Sequence, residues 1–509
     1  MNGTGNRGDS EEIVVINPAT EKEIGRAPVR SEEQIREAVA RASASQQGWA
    51  NVPIKRRAAE IRRFSEAIAR RAKEIADLVV AESGKPYEEA LIHELAATIG
   101  IVSWYAAKAP KILKPRRVRP SGLWFYRATV VRYVPRGVVA VISPWNSPVN
   151  IPISEVAAAL VAGNAAVLKP SEIVPLSALK IKEIYDRSGM PPDLFQVVTG
   201  DGAAGEALLR AGVHKVSFTG SVEAGKKVAA ICGERFLPCT LELGGKAPAL
   251  VLEDADTDRA ARALVWGAFA NSGQFCTSVE RVYAHEKVYD RLITKLAALA
   301  GELRQGDPAV GEVDIGPMTS PSQVRKVDRL VQDARARGAT VLTGGACSAA
   351  AGYFYPPTVI ADVNQDMPIM REEIFGPVLP VMKVRDREEA IRLANDANLG
   401  LNAYVFTRND FRSREIAGLV QSGSVMINEV LSNYPMPEAP FGGWKQSGVG
   451  WVHGEEGLRG MCATQVITYV RLPGPWTTFG WYPYSRKLAD IGLKAFSILG
   501  RVIDGLMRL

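Results

Sequence analysis

Hydrophobic positions change their spacing part-way along this chain. From Glu32 to about Glu82, Ile61, Phe64, Ile68, Ile75 and Val79 recur at three- or four-residue steps among Arg and Glu, the spacing of one helix face. Further on, the apolar residues close up into short unbroken runs. The run from Val138 to Ser143 stops at Pro144, and the same form returns at 165–168, 215–218 and 249–252. Runs of this length suit strands buried on both faces of a parallel sheet. Helical stretches from Ser154 to Ala162 and from Pro175 to Ser188 lie between them. Strands alternating with helices predict a doubly wound α/β domain. A second series, at 279–283, 405–407 and 424–428, predicts another.

Four segments fall outside this pattern. Residues 123–126 and 130–134 read as a hairpin, and Thr464 to Val470 as a lone strand; exposed strands of this kind need a partner or a cover. Residues 1–10 are polar and read as a disordered leader. At the other end, Trp476, Phe479, Trp481, Tyr482 and Tyr484 cluster ahead of a helical face traced by Leu488, Ile491, Ala495, Ile498, Leu499, Val502, Leu506 and Leu509. Arg486, Lys487, Lys494, Arg501 and Arg508 make 486–509 basic. That segment reads either as a helix packed on a neighbouring subunit or as one in peripheral contact with a membrane. Gly492, Gly500 and Gly505 each weaken it as an isolated helix by about 1 kcal/mol.

With 509 residues the chain exceeds a single core, and 47% hydrophobic with 23% charged residues fits an α/β protein. The net charge of +7 is scattered, with most Lys and Arg followed by acids, as in Arg30-Ser31-Glu32-Glu33. No aromatic and basic residues alternate, so no nucleic-acid partner is expected. Cys232, Cys239, Cys276, Cys347 and Cys462 lack paired spacing and a neighbouring His cluster, so neither a disulfide framework nor a metal site is expected. No apolar run reaches spanning length and the N-terminus has no secretory core, so a reducing, cytoplasmic setting is the expectation.

Among the cysteines only Cys276 sits in a small Gly-flanked turn, Ser272-Gly273-Gln274-Phe275-Cys276. The other four read as buried small hydrophobes. A thiol in such a turn is a candidate nucleophile. Glu242, between Leu241 and Leu243 and followed by Gly244-Gly245, is a candidate base for activating water. Asn146, just past the 138–143 run, offers a side-chain amide to a developing oxyanion. Those three roles are the minimum for acyl chemistry at a carbonyl. Gly200-Asp201-Gly202-Ala203-Ala204-Gly205 also satisfies G-x-G-x-x-G, a weak pattern alone.

These three segments resemble the active site of aldehyde dehydrogenases. Lys169-Pro170-Ser171-Glu172, Phe218-Thr219-Gly220-Ser221, Glu372-Glu373-Ile374-Phe375-Gly376-Pro377 and Pro440-Phe441-Gly442-Gly443 match further motifs of that family, in its order, across roughly residues 11 to 470. The resemblance implies two doubly wound parallel-sheet domains and a small β flap that builds homodimers or homotetramers. The dinucleotide-binding domain would cover 11–122 and 141–243, the catalytic domain 244–461, the flap 123–140 and 462–472, and an extension 473–509. It also implies a thiohemiacetal and then a thioester on Cys276, and water activation by Glu242. Asn146 and the Cys276 N–H would hold the oxyanion. A retained Glu242 points to a free carboxylic acid rather than transfer to coenzyme A. For the cofactor, the resemblance implies Trp145 and Ser221 near the pyrophosphate, Lys169 and Glu172 at the adenosine ribose, and the turn of Gly202 and Gly205 beside the adenine. Ser171, Phe218, Gly220 and Leu243 complete that set, with Glu373 and Phe375 at the nicotinamide ribose and ring. A carboxylate at Glu172 repels a 2′-phosphate, so NAD is expected; Lys169 keeps NADP open.

The chain also departs from the family. Many relatives carry Gly-Arg-Glu after the Ser-Gly-x-Gly turn, with its Glu implicated in proton relay. Here Ser447-Gly448-Val449-Gly450 leads into Trp451-Val452-His453-Gly454-Glu455, and Val452 cannot carry a proton. Either Glu455 or His453 substitutes, or water finds another route. Aromatics that line the tunnel in relatives acting on small aldehydes are replaced by Ser147, Ile151 and Ser154, with Phe275 left as an apolar wall. A wider tunnel and a medium or long aliphatic, or aromatic, aldehyde are therefore expected. The rival readings are a semialdehyde dehydrogenase, although no Arg stands beside the nucleophile, and a catalytically silent, membrane-associated, dinucleotide-binding scaffold.

Overall fold

A computed structural model describes residues 12–120, 124–347, 351–474, 477, 481–487 and 489–494, which divide into two units. The expected leader, Trp476, Phe479, Leu488 and the tail from Ala495 onward lie outside the described residues.

The larger unit, formed by residues up to 113 and 135–463, holds two parallel sheets flanked by helices. Its six-stranded sheet runs in the order 448–449, 239–242, 215–219, 138–142, 165–169, 195–197. All pairings are parallel except that of Gly448–Val449 with Cys239–Glu242. Val138–Ile142 and Ala165–Lys169 are buried at every position, which is why their sequences show no polar alternation. The chain lays strands outward on one side of Val138–Ile142, then returns to place Lys215–Thr219 on the other. At that reversal of order a crevice opens beyond the C-terminal strand ends. Pro144-Trp145-Asn146 leaves one strand there and Gly220-Ser221 leaves the other.

The seven-stranded sheet has the order 340–343, 358–361, 378–384, 279–285, 247–251, 402–406, 424–427, parallel except for its first pair. Cys239–Glu242 ends in the first sheet, and after four residues Ala247–Val251 begins in the second. Glu242 thus stands at a C-terminal strand end, while Cys276 precedes the N-terminal end of Val279–His285. The long helical periodicity resolves into three helices, Glu32–Ala50, Ile54–Arg70 and Ala72–Ser83, and its five apolar landmarks are fully buried.

The smaller unit, residues 114–134 and 464–509, carries a sheet in the order Cys462–Val470, Arg127–Pro135, Arg116–Val118. Several expectations are corrected here. The first arm of the hairpin is Arg116–Val118, antiparallel to Arg127–Pro135, not 124–126, with Leu123 of the expected arm outside the described residues; Trp124 and Tyr126 instead pack on the Arg127 guanidinium. The strand ending at Val470 is paired, not lone. Assigning 123–140 to the flap overran it, because Val138–Ile142 belongs to the six-stranded sheet, as does Gly448–Val449 from the 244–461 segment. The hairpin Glu12–Ile16 with Glu23–Pro28 was not foreseen. The helix Tyr87–Ile112 is, by length and composition, apolar enough to cross a membrane, yet half of its most apolar window is buried within the protein. Cys347 is exposed and Cys239 half-buried, so the reading of all four spare cysteines as buried was too broad.

Candidate active site

Cys276 is carried by a sharply bent turn. Asn271, Ser272 and Gly273 take φ of 53°, 54° and 72°, left-handed values that cost a non-glycine residue on the order of 1–2 kcal/mol. Local bonds hold the turn: Asn271 N–H donates to Glu89 Oε2 at 2.8 Å and Ser272 Oγ to Gly316 O at 2.9 Å. Residue 273 must be glycine, since a Cβ would stand 2.2 Å from Gly376 O. Gly245 is equally confined, with the Cys276 carbonyl oxygen 2.1 Å from where its Cβ would be. Burial, then the Glu373 and Glu242 carboxyls, push the thiol up to about 12, while the N–H groups of Cys276 and Thr277 favour the thiolate.

Asn146 donates its side-chain amide to Gln274 O at 2.8 Å, and its own carbonyl accepts from Lys85 Nζ and Asn271 Nδ2, each at 3.1 Å. Behind this loop lies the fully buried Glu94. Its Oε1 accepts from Lys85 Nζ (2.6 Å) and Ser147 Oγ (2.7 Å), its Oε2 from the N–H groups of Val149 (3.1 Å) and Asn150 (2.9 Å). Glu94 therefore caps the helix Asn150–Val161, whose own N-cap residue supplies no acceptor. Burial raises its pKa, but Lys85 and these donors outweigh that and hold it below the carboxylate range. Neither Lys85 nor Glu94 was singled out in the sequence. Both were hidden by an ordinary spacing, and only their complete burial marks them.

Glu242 is almost fully buried, and neither of its carboxyl oxygens has a hydrogen-bond partner. Burial, then the charge of Glu155, push it well above the carboxylate range, which makes its ionised form a strong base. Its backbone is fixed by Gly220 N–H to Glu242 O (3.0 Å) and Leu243 N–H to Ser447 O (2.8 Å). Ser447 Oγ adds a bond to Gly244 O at 2.7 Å.

Cys276, Glu242 and Asn146 line one cavity of about 190 Å³, together with Trp145, Leu243, Glu373 and Phe375. That cavity shares Trp145, Gly220 and Ser221 with a longer one of about 450 Å³, lined by Lys169, Ser171, Glu172, Gly202, Gly205 and Phe218. Every residue expected to touch a dinucleotide thus borders one or other of two cavities that share Trp145, Gly220 and Ser221, a donor and acceptor set that fits such a ligand. The helix Val222–Glu234 opens on it with Ser221 as N-cap, a suitable end for a phosphate. A Cβ at Gly220 would approach the Phe218 ring to 2.7 Å and one at Gly225 the Leu243 side chain to 2.5 Å. Lys169 Nζ lies 3.2 Å from Glu172 Oε2. Glu373 Oε1 accepts from Gly245 N–H at 2.8 Å. Glu280, paired with Lys246, accepts the N–H groups of Ile374 and Phe375 at 2.8 Å, which sets Phe375 edge-on to Trp145.

On the other side of Cys276 lies a cavity of about 40 Å³ bordered by His93, Ser147, Asn150, Ile151, Phe275, Leu431 and Tyr434. Ser147 and Ile151 line it, but Ser154 does not, because its hydroxyl turns to Asn150 Oδ1. The space is small, and about three waters would fill it. His93, Phe275 and Tyr434 return the ring bulk from other elements, with His93 on Phe275 at 5.5 Å. Burial, then Lys85, push His93 down to about 4, so it is neutral near pH 7. No Lys, Arg, Asp or Glu is among the described lining residues.

A sequence model described as the Aldehyde dehydrogenase family matches residues 6–467. The chain is 39% identical over 443 residues to a betaine aldehyde dehydrogenase of Cereibacter sphaeroides, covering 87% of this chain and 90% of that one. It is 38% identical over 469 residues to the lactaldehyde dehydrogenase of Escherichia coli, covering 91% and 95%. Among solved structures, the NAD+ complex of an aldehyde dehydrogenase from Bacillus cereus superposes with a TM-score of 0.87 at 34% identity, covering 90% and 93%. With its length spanned by these matches, the chain belongs to the aldehyde dehydrogenase family of NAD(P)-dependent oxidoreductases.

Proposed function

We propose that this chain oxidises an uncharged aldehyde to the free carboxylic acid, with Cys276 as nucleophile, Glu242 as base and Asn146 as oxyanion donor. The observation that carries this reading is that all three side chains line a single cavity. The Cys276 sulfur, as the thiolate that the last step returns, bonds to the aldehyde carbon, and the carbonyl electron pair moves to the oxygen held by Asn146 Nδ2–H and the Cys276 N–H. That pair re-forms the carbonyl as the carbon's hydrogen leaves with its bonding electrons, giving the thioester. A bound nicotinamide supplies the hydride acceptor; Trp145, Lys169, Ser171, Glu172, Gly202, Gly205, Phe218, Gly220, Ser221, Leu243, Glu373 and Phe375 would hold the dinucleotide. Glu242 then takes a proton from water, the water oxygen bonds to the thioester carbon, and the carbon–sulfur bond breaks to release the acid.

The buried Lys169 is tied to Glu172, and that carboxylate supports NAD over NADP by repelling a 2′-phosphate. The uncharged lining beside Cys276 supports an aliphatic or aromatic aldehyde; medium or greater length, slender where it passes His93, Phe275 and Tyr434, is the chain-length part of this proposal. A semialdehyde is disfavoured because nothing cationic is there to hold its carboxylate. A homodimer or homotetramer in the cytoplasm is part of the same reading, supported by free thiols and by an exposed strand. Peripheral membrane contact through 486–509 is supported only by exposed Ile491 and Leu493, and liposome sedimentation tests it.

The test is the initial rate of NADH and NADPH formation with straight-chain aldehydes from two to about sixteen carbons, benzaldehyde and succinic semialdehyde. NADH formation that rises with chain length, and falls to background in Cys276→Ser, is expected. Undiminished turnover in Cys276→Ser would sink the thiohemiacetal mechanism, no turnover in the unmodified chain would leave the silent scaffold standing, and preference for the semialdehyde would overturn the substrate class.

A further inference from the structure

Position 452, where relatives carry a proton-relaying Glu, is an apolar plug in this chain. Val452 is buried, bridged to Phe441 through both backbone bonds at 2.8 Å, in a cluster against which Cys276 and Tyr434 pack. Glu455 is exposed and paired with Arg459 at 2.8 Å, so it does not substitute. The proton that Glu242 strips from water needs another acceptor. Among the described residues, both oxygens of Glu242, Oε1 of Glu155 and Nε2 of His453 are buried without a hydrogen-bond partner. Unpartnered polar atoms in a dry interior are costly and mark a place where a proton or a water is handled.

Glu155 is the anomaly. It sits in Asn150–Val161, a helix buried at all its positions, and its Oε2 accepts from Ser217 Oγ at 2.6 Å. Ser217 pairs with Thr240 in the strand that ends at Glu242, and Thr240 Oγ1 accepts from Lys215 Nζ at 2.8 Å. The groups within electrostatic reach of Glu155 are Glu242, Lys215, Tyr105 and Tyr434. Tyr105 OH meets His453 Nδ1 at 3.4 Å, and Tyr434 packs edge-on to His453 at 4.8 Å. Burial keeps His453 neutral, down at about 3, so it can pass a proton but does not store one.

Resting on the Cys276 thioester reading, we propose that Glu155 is the positioning residue that sets the proton on Glu242 and takes it over during deacylation. Water loses a proton to Glu242 as its oxygen bonds to the acyl carbon and the carbon–sulfur bond breaks. Glu242 then hands that proton to Glu155 Oε1 and returns to its basic form. The charge of Glu155 raises Glu242 and so strengthens it as a base, and for the handover Glu155 must itself be ionised. Lys215, pushed down to about 8 by burial despite the pull of Glu155, is the cation that keeps Glu155 able to ionise.

The test uses 4-nitrophenyl acetate, which acylates a thiol without a dinucleotide, so that the nitrophenolate burst reports acylation and the steady rate reports deacylation. Glu155→Gln is expected to keep the burst, slow the steady rate about tenfold or more, and move the ascending pH limb of deacylation about one unit lower, because an anionic neighbour of Glu242 is gone. Glu155→Asp, which keeps the charge, restores the limb. Ser217→Ala leaves the carboxyl in place without its donor and moves the limb the same way by less. A normal burst with an unchanged limb and steady rate in both Glu155→Gln and Ser217→Ala overturns the relay and leaves the mechanism intact. A wild-type chain with no burst overturns both.

Discussion

A thiol held up at about 12 by burial and by the Glu373 and Glu242 carboxyls is a guarded nucleophile. At pH 8 only about one part in ten thousand is thiolate, so ligands must supply the rest of the activation. Inactivation by iodoacetamide, read as modification of the Cys276 peptide, is therefore expected to climb about tenfold per pH unit between 7 and 10 without levelling. Removing the carboxyl in Glu242→Gln speeds labelling wherever Glu242 is ionised, by lowering the thiol's pKa; a plateau by pH 8.5 in the unmodified protein would refute the guarded thiol. Cys276, Glu242 and Asn146 were legible in the sequence because each stands in a turn with telltale neighbours. Glu155 was missed, though one signal was available: a lone acid in the otherwise uncharged run from Trp145 to Asn164. Lys85 and Glu94 gave no such signal, because burial is decided by a helix packing that no local pattern encodes.

Among elements, the π-helical turn Ala90–Ala96 inside a long apolar helix has the most concentrated effect. It carries both His93, which lines the small cavity, and Glu94, which ties the Asn146 loop to Lys85 and caps the next helix. A buried pair of this kind contributes little net stability when intact, but breaking it strands a charge at a cost of about 3–5 kcal/mol. Glu94→Ala is thus expected to lower stability by that amount in urea unfolding and to depress kcat through a loosened Asn146. Lys85→Met with Glu94→Gln is expected to recover most of the stability and little of the rate, because the loop still lacks its charged anchor. Equal losses in the single and double variants would show that the pair acts independently of its charges. The parallel strands were readable from their unbroken apolar runs. The 116–118 arm was not, because Arg116-Arg117-Val118 carries no strand signature and takes its conformation from Arg127–Pro135 alone.

For the whole molecule, the least self-sufficient part among the described residues is the strand Cys462–Val470. From Gln465 to Val470 it is exposed on both faces, and it stands at the edge of its three-stranded sheet. Val466, Ile467, Tyr469 and Val470 are all open to solvent. An apolar edge strand with neither face covered invites pairing with another chain, and a second copy is the partner always present at matching concentration. A stable interface removes about 800 Å² from each partner, and at roughly 25 cal/mol per Å² of apolar area its centre is sensitive to a buried charge. Light scattering on the eluted protein is therefore expected to give the mass of a dimer or tetramer. Val466→Glu with Val470→Glu, two positions on one face of the strand, is expected to reduce it to a monomer. An unchanged mass in the double variant would move the assembly to a different surface, and a monomeric wild type would leave this strand exposed for some other partner.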